Sequence, residues 1–143
     1  MRVEVTTDPL AIIHRLWQSA DNTASNAFFA AGVGHITPRQ RTLLQAISTL
    51  EARLDRPPNQ TEIEAASGID RSTLSEMVRR LVDKKLVRRT RSRADNRMYQ
   101  VAVSKDGLAV LARLDTADKT ILKELADPNG EPRKLIKRLA AML

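Results

Sequence analysis

Between Leu74 and Val103 the hydrophobic period of the chain changes from 3.6 residues to 2, and that switch leaves few folds open. Leu74, Met77, Val78 and Leu81 recur as one stripe of a helix, with Asp70 as its N-cap. Upstream, Thr61-Glu62-Ile63-Glu64 reads as a capping-box start for a short helix that turns Ile63 and Ala66 inward. Gly68 stands where that helix needs a residue of positive φ. Short helix, glycine turn, second helix is the helix-turn-helix pattern. Downstream, Leu86 to Thr90 and Met98 to Val103 read as two strands, with Tyr99, Val101 and Val103 alternating on one face. The polar run RSRADNR between them is a turn, so the hairpin forms a basic wing.

The flanks are helical. Asp8-Pro9 opens a first helix whose apolar positions run from Leu10 through Ile13, Leu16, Trp17, Ala20, Ala24 and Ala27 to Phe28, fading by Gly32 and Gly34. Thr37-Pro38-Arg39-Gln40 is a second capping box, and Leu43, Leu44, Ile47, Leu50 and Leu54 give that helix its buried face before Pro57-Pro58 ends it. Ser104 caps a long helix carrying Leu108, Leu111, Leu114, Ile121, Leu122 and Leu125. Asp127-Pro128-Asn129-Gly130 breaks it, and Pro132 opens a last helix with Leu135, Leu139 and Leu143. The expected fold is mostly α with a small β-hairpin wing. One composite domain divides into an N-terminal dimerisation helix (1–36), a winged helix-turn-helix (37–103) and C-terminal dimerisation helices (104–143). One small winged helix cannot cover all the flanking apolar surface. Leu10, Ile13, Trp17, Leu111, Leu122, Leu135 and Leu139 are therefore expected at a homodimer interface.

Charge says what the wing and second helix face. Residues 71–97 hold ten bases against three acids, an excess equal to the formal +7 of the whole chain. Phosphates are the simplest partner for such a concentration, because each one neutralised releases counterions. With the apolar stripe of the 71–84 helix turned inward, Arg71, Ser72, Ser75, Glu76 and Arg79 remain outside. A helix presented this way enters the major groove, where Arg71, Ser72 and Ser75 can reach base edges. Glu76 can accept from a cytosine or pair along its helix with Arg79 or Arg80, and the second role is preferred. Thr73, Arg79, Arg80, Arg89 and Arg93 are assigned to phosphates, which position rather than specify. Arg97 at the wing tip suits the narrow minor groove, with Asp95 holding its guanidinium in place.

Other classes are disfavoured. The chain has no cysteine, which removes disulfides, thiolate metal sites, thiol nucleophiles and thiol redox sensing together. His14 and His35 are its only histidines, and neither stands in a catalytic or metal-ligand spacing. The serines lack a histidine or lysine partner at motif spacing, Glu62 and Glu64 do not face each other on a helix, and glycine-rich phosphate loops are absent. No enzyme activity, metal or cofactor is expected. The N-terminal residues lack the apolar core of a secretory signal, and the longest uncharged apolar run, Ala27 to Gly34, is too short for a bilayer. A cytoplasmic protein without a membrane partner is the expectation.

The segments Thr61-Glu62-Ile63, Gly68-Ile69-Asp70-Arg71-Ser72-Thr73-Leu74-Ser75, Leu86-Val87-Arg88-Arg89, Asp95-Asn96-Arg97 and Val103-Ser104-Lys105-Asp106-Gly107 resemble the MarR family of bacterial transcriptional regulators. The resemblance implies a homodimeric winged helix on double-stranded DNA, at a pseudo-palindromic operator. It places the dimer interface in the first and last two helices, and often a small-molecule effector between that part and the winged helix. The effector and its site are unknown here; Trp17, Phe28, Phe29 and His35 can border a cleft between the first two helices and the long fifth helix, although helical stripes of that kind more often pack as core. The chain departs from the family at Lys85, where glycine is common. A non-glycine residue is uncommon at positive φ, so the helix is expected to end differently there. Repression by steric exclusion is the expected outcome of binding. The alternatives are a winged helix that compacts DNA without sequence preference and one that docks a protein.

Overall fold

The structure, a computed structural model, describes residues 8–95 and 97–125, of which Ile12 and 121–125 by backbone alone. Seven elements follow in order: α1 (Pro9–Ala30), α2 (Pro38–Leu54), α3 (Gln60–Ser67), α4 (Arg71–Asp83), β1 (Val87–Arg91), β2 (Tyr99–Val103) and α5 (Lys105–Leu125). The chain divides into two compact units, one of residues 36–114 and one of 1–35 with 115–143. The proposed break at Asp127–Gly130 and the last helix with Leu135, Leu139 and Leu143 lie outside the described residues.

In the 36–114 unit, α2 supplies the floor. Thr37 and Gln40 cap it reciprocally: Thr37 Oγ1 accepts the Gln40 N–H at 3.1 Å, and Gln40 Oε1 accepts the Thr37 N–H at 3.2 Å. Leu43, Leu44, Ile47 and Leu50 bury one face of α2, meeting Ile63 of α3, Leu74, Val78 and Leu81 of α4, and Val101 and Val103 of β2 in the core. These residues are aliphatic throughout, as the scarcity of aromatics requires.

Two details of this unit correct the sequence reading. The cap of α3 is Asn59 rather than Thr61: Asn59 Oδ1 accepts the Glu62 N–H at 2.9 Å, and Glu62 returns a carboxylate to the Asn59 N–H at 3.2 Å. Two overlapping capping-box patterns compete here. Asn59 wins because it is already extended, bridged to Gln100 of β2, while Arg56 holds Glu62 with two bonds of 2.9 and 3.0 Å. Ala66, expected inside, is exposed.

The hairpin is antiparallel, with Val87 opposite Val103 and Arg91 opposite Tyr99. Its inner residues Val87, Val101 and Val103 are buried, while Tyr99, on the same face at the far end of the hairpin, is exposed. The free side of β2 is occupied: the Val101 N–H donates to the Pro58 carbonyl at 2.9 Å and the Val103 N–H to the Glu51 carboxylate. The Pro58 bond clamps the wing to the loop before α3, and the Glu51 bond clamps it to α2.

Lys85 holds the left-handed conformation, φ 60°, so the predicted departure at the end of α4 does not occur. Its N–H donates to the Val82 carbonyl and that of Leu86 to the Leu81 carbonyl, the paired bonds of a Schellman ending. The Ser104 hydroxyl donates to the Lys85 carbonyl at 2.7 Å, so the surroundings over-determine a strained residue.

In the other unit, Asp8 caps α1 and a second Schellman ending closes it, with Gly32 at φ 77° and Val33 bonded back to Phe28. Phe28 and Val33 are buried, whereas Leu10, Ile13, Leu16, Trp17 and Phe29 are between 53% and 80% exposed.

Candidate nucleic-acid interface

α4 presents its first turns to solvent because its cap is strong. Asp70 accepts the Thr73 N–H at 3.0 Å and the Ser72 hydroxyl at 2.7 Å. Those bonds, Thr73 first, hold its carboxyl down at about 2. Ser72, expected at a base edge, thus has its hydrogen turned back onto the cap, and Thr73 is half-buried beside it. Arg71 is exposed, with Nε 3.4 Å from the Glu64 carboxylate of α3.

Further along, Glu76 takes the preferred role. It accepts from Arg79 at 2.8 and 3.1 Å and from Arg80 at 3.2 Å, while Arg79 also reaches Asp83 at 3.3 Å. The two guanidiniums, Arg79 first, hold the Glu76 carboxyl below its ordinary range. All four groups are well exposed, so a phosphate can displace the carboxylates from either arginine. Lys84 points the other way. Its Nζ donates to Gln40 Oε1 at 2.7 Å, and burial, followed by the Arg80 charge, pushes its amine down.

The wing supplies the second arm. Its tip is folded locally: the Ser92 N–H donates to the Met98 carbonyl at 2.8 Å, and Ser92 Oγ accepts the Ala94 N–H at 3.2 Å. Asp95 accepts the backbone N–H of Arg97 at 2.9 Å, which corrects the expectation that it holds the guanidinium. A short carboxylate two residues ahead of a backbone donor makes this turn at no cost in reach. Asp95 therefore orients the loop, and Arg93 and Arg97 are exposed on it. On the strands, the Arg89 guanidinium lies 4.6 Å from the centre of the Tyr99 ring and that of Arg91 lies 5.8 Å away.

Helix and wing meet in an open cleft whose lining includes Gln60, Arg71, Ser75, Arg89, Arg97 and Tyr99. Four of the residues assigned from sequence to DNA are therefore brought together: Arg71, Ser75, Arg89 and Arg97. Ser72, Thr73, Arg79, Arg80 and Arg93 do not line it. Four further lining residues, Gln60, Thr61, Met98 and Tyr99, carry no DNA assignment from sequence. Gln60, the first residue of α3, donates from Nε2 to Ser75 Oγ at 2.6 Å and to the Arg71 carbonyl at 3.4 Å. In the sequence Tyr99 stands out only as part of a strand pattern. Its pairing opposite Arg91 is the signal that identifies it, once register is known.

Among the described residues no cluster of three or more His, Asp or Glu side chains is placed to hold a metal, and no helix is long and apolar enough to cross a membrane. Of the residues assigned to a dimer interface, Leu10, Ile13 and Trp17 are exposed and Leu111 is half-buried. The Leu122 side chain, Leu135 and Leu139 fall outside what is described.

Residues 36–98 match the family model described as MarR family. No curated protein is a detectable relative by sequence. Among solved structures, the chain is similar to CouR, a transcriptional repressor bound to a 23-mer DNA duplex (TM-score 0.77, 22% identity, 98% of this chain and 99% of that one). It is similar to the PcaV transcriptional regulator from Streptomyces coelicolor in complex with its natural ligand (TM-score 0.68, 25% identity, 99% and 97% covered). It also resembles BpsR of Bordetella bronchiseptica, described with regulation of DNA binding by 6-hydroxynicotinic acid (TM-score 0.76, 19% identity, 99% and 96% covered).

Proposed function

We propose that this chain, whose residues 36–98 match the model of the MarR family, is a sequence-specific DNA-binding regulator that represses by occupying a pseudo-palindromic operator as a homodimer. The observation that carries the reading is the cleft in which α4 and the wing converge Arg71, Ser75, Arg89 and Arg97. In this reading α4 enters the major groove, with Arg71 and Ser75 at base edges, and wing residues 91–97 follow the adjacent minor groove with Arg97. Thr73, Arg79, Arg80, Arg89 and Arg93 hold phosphates, and Ser72 reaches a base through its oxygen. The exposed Leu10, Ile13 and Trp17 support self-association of the 1–35/115–143 unit in a symmetric dimer. Two of the similar structures are described with small molecules, which supports an effector of unidentified chemistry.

Selection of bound duplexes from a randomised pool at about 0.15 M salt tests this reading. The expected product is an inverted repeat with half-sites about one helical turn apart, bound on the order of a thousandfold tighter than a scrambled duplex. A pool with no consensus, together with affinity that collapses steeply as salt rises, overturns it in favour of non-specific compaction. Absence of duplex binding at that salt favours a protein-docking wing instead. Light scattering behind size exclusion checks the dimer, which Ile13→Glu is expected to dissociate. Repression predicts that a reporter behind the selected operator rises when the gene is deleted.

A further inference from the structure

Gln60 reaches across from α3 to the one serine of α4 that lines the cleft, and the chemistry of that contact has a direction. The amide nitrogen of Gln60 is 2.6 Å from Ser75 Oγ and 3.4 Å from the Arg71 carbonyl oxygen. A carbonyl oxygen only accepts, so the side of the amide that faces it is the NH2 side. The Ser75 hydroxyl therefore accepts from Gln60, and its own hydrogen is left to donate. Ser75 makes no donation among the described residues, and the Gln60 Oε1 accepts none there. The oxygen sits on the carbon that bears the donating nitrogen, so the cleft holds a hydroxyl donor with an amide acceptor beside it.

Resting on the operator-binding reading above, we propose that Gln60 is a specificity-determining residue and that the Gln60–Ser75 pair selects adenine at one position of each half-site. Among the four bases adenine alone presents, on its own major-groove edge, an acceptor, N7, next to a donor, the N6 amino group. Ser75 donates to N7 and Gln60 Oε1 accepts from N6. Guanine offers N7 and O6, two acceptors, and its O6 opposes the Gln60 oxygen. Cytosine offers only a donor and thymine only an acceptor with a methyl group. Gln60 acts twice: it contributes the acceptor, and it fixes the polarity of a serine that would otherwise read donors and acceptors alike.

The test uses the full-length protein on its selected operator, with each adenine replaced in turn by guanine, by 7-deazaadenine (no N7) and by purine (no N6 amino group). Wild type is expected to lose about 10- to 100-fold on all three replacements at one adenine per half-site. Ser75→Ala is expected to be indifferent to the 7-deaza replacement there, and Gln60→Met indifferent to loss of the amino group. Gln60→Met preserves side-chain length, and its circular dichroism and melting curve establish folding before binding is compared. Two results overturn the proposal: no adenine at which wild type needs both groups, or a Gln60→Met variant that keeps the full wild-type penalty for losing the amino group. Either leaves the regulator reading standing, since it requires a selected operator to exist. If wild type selects no operator, the regulator reading itself has failed.

Discussion

Gly107 of α5 lies directly against the backbone of Leu86: a Cβ built on it would stand 2.2 Å from the Leu86 carbonyl oxygen and 2.7 Å from a Val103 methyl group. The same oxygen accepts the Ser104 N–H at 2.9 Å, and Ser104 Oγ accepts the Gly107 N–H at 3.0 Å. The start of α5 is thus seated on the root of the wing. Gly107→Ala adds the better helix former, a gain of about 1 kcal/mol in an open helix. Here the methyl group meets backbone, which cannot yield without shifting β1, so the net effect is a loss of about 1–3 kcal/mol. Urea denaturation reads it, and a midpoint equal to or above wild type would sink the account.

Lys85 offers the opposite prediction. A left-handed lysine costs about 1–2 kcal/mol, and glycine in its place returns part of that gain through its freer unfolded chain. Lys85→Gly is therefore expected to raise stability by about 0.5–1 kcal/mol. The Schellman bonds are made by backbone groups and survive the change. The same urea titration distinguishes this from a solvated lysine with no strain, for which glycine would lower the midpoint.

Asp70 gives the fold an acid sensitivity of known sign. Its carboxyl is held at about 2 against an ordinary 3.8 by the hydrogen bonds from Thr73 and Ser72. A depressed carboxylate contributes stability above the unfolded value and loses it as pH falls through the folded one. Asn is also a good cap but does not titrate in this range. The melting temperatures of wild type and Asp70→Asn are expected to differ by a constant amount above about pH 4, with the advantage of wild type shrinking toward pH 2. A gap that stays constant down to pH 2 would show that the charge of Asp70 does not support α4.

Features set by neighbours along the chain were legible in the residues. Asp70, Gly68 and the Thr37–Gln40 box act within four positions, so spacing suffices to find them. The α3 cap was misplaced because Asn59-x-x-Glu62 and Thr61-x-x-Glu64 are equally good locally. What separates them is the bridge from Asn59 to Gln100, 41 residues away. The cleft shows the same division. Arg71, Ser75 and Arg97 follow from helix face and wing position, whereas Gln60 belongs to the site only through its bond to Ser75, 15 residues on. Charge patterning finds the loop of Asp95 but not its partner, the Arg97 N–H, because backbone N–H groups are invisible to it.

Tyr99 allows ring and charge to be separated at the interface. Its ring is approached by two guanidiniums that the strand pairing brings to one face of the hairpin, Arg91 directly opposite and Arg89 on the diagonal. An exposed cation–π contact is worth about 0.5–1 kcal/mol, so removing the ring frees both arginines without removing their charge. Tyr99→Ala is expected to weaken binding by about three- to tenfold on selected and scrambled duplexes alike, because phosphates carry no sequence information. Its salt dependence should match wild type, since the number of phosphates neutralised is unchanged. Arg89→Ala should instead reduce the slope of log affinity against log salt by about 1. Tyr99→Phe keeps the ring face and is expected to bind as wild type does. Anisotropy titrations between about 0.05 and 0.2 M salt measure all three. If Tyr99→Phe falls as far as Tyr99→Ala, the hydroxyl is the contacting group, and the ring does not position the arginines.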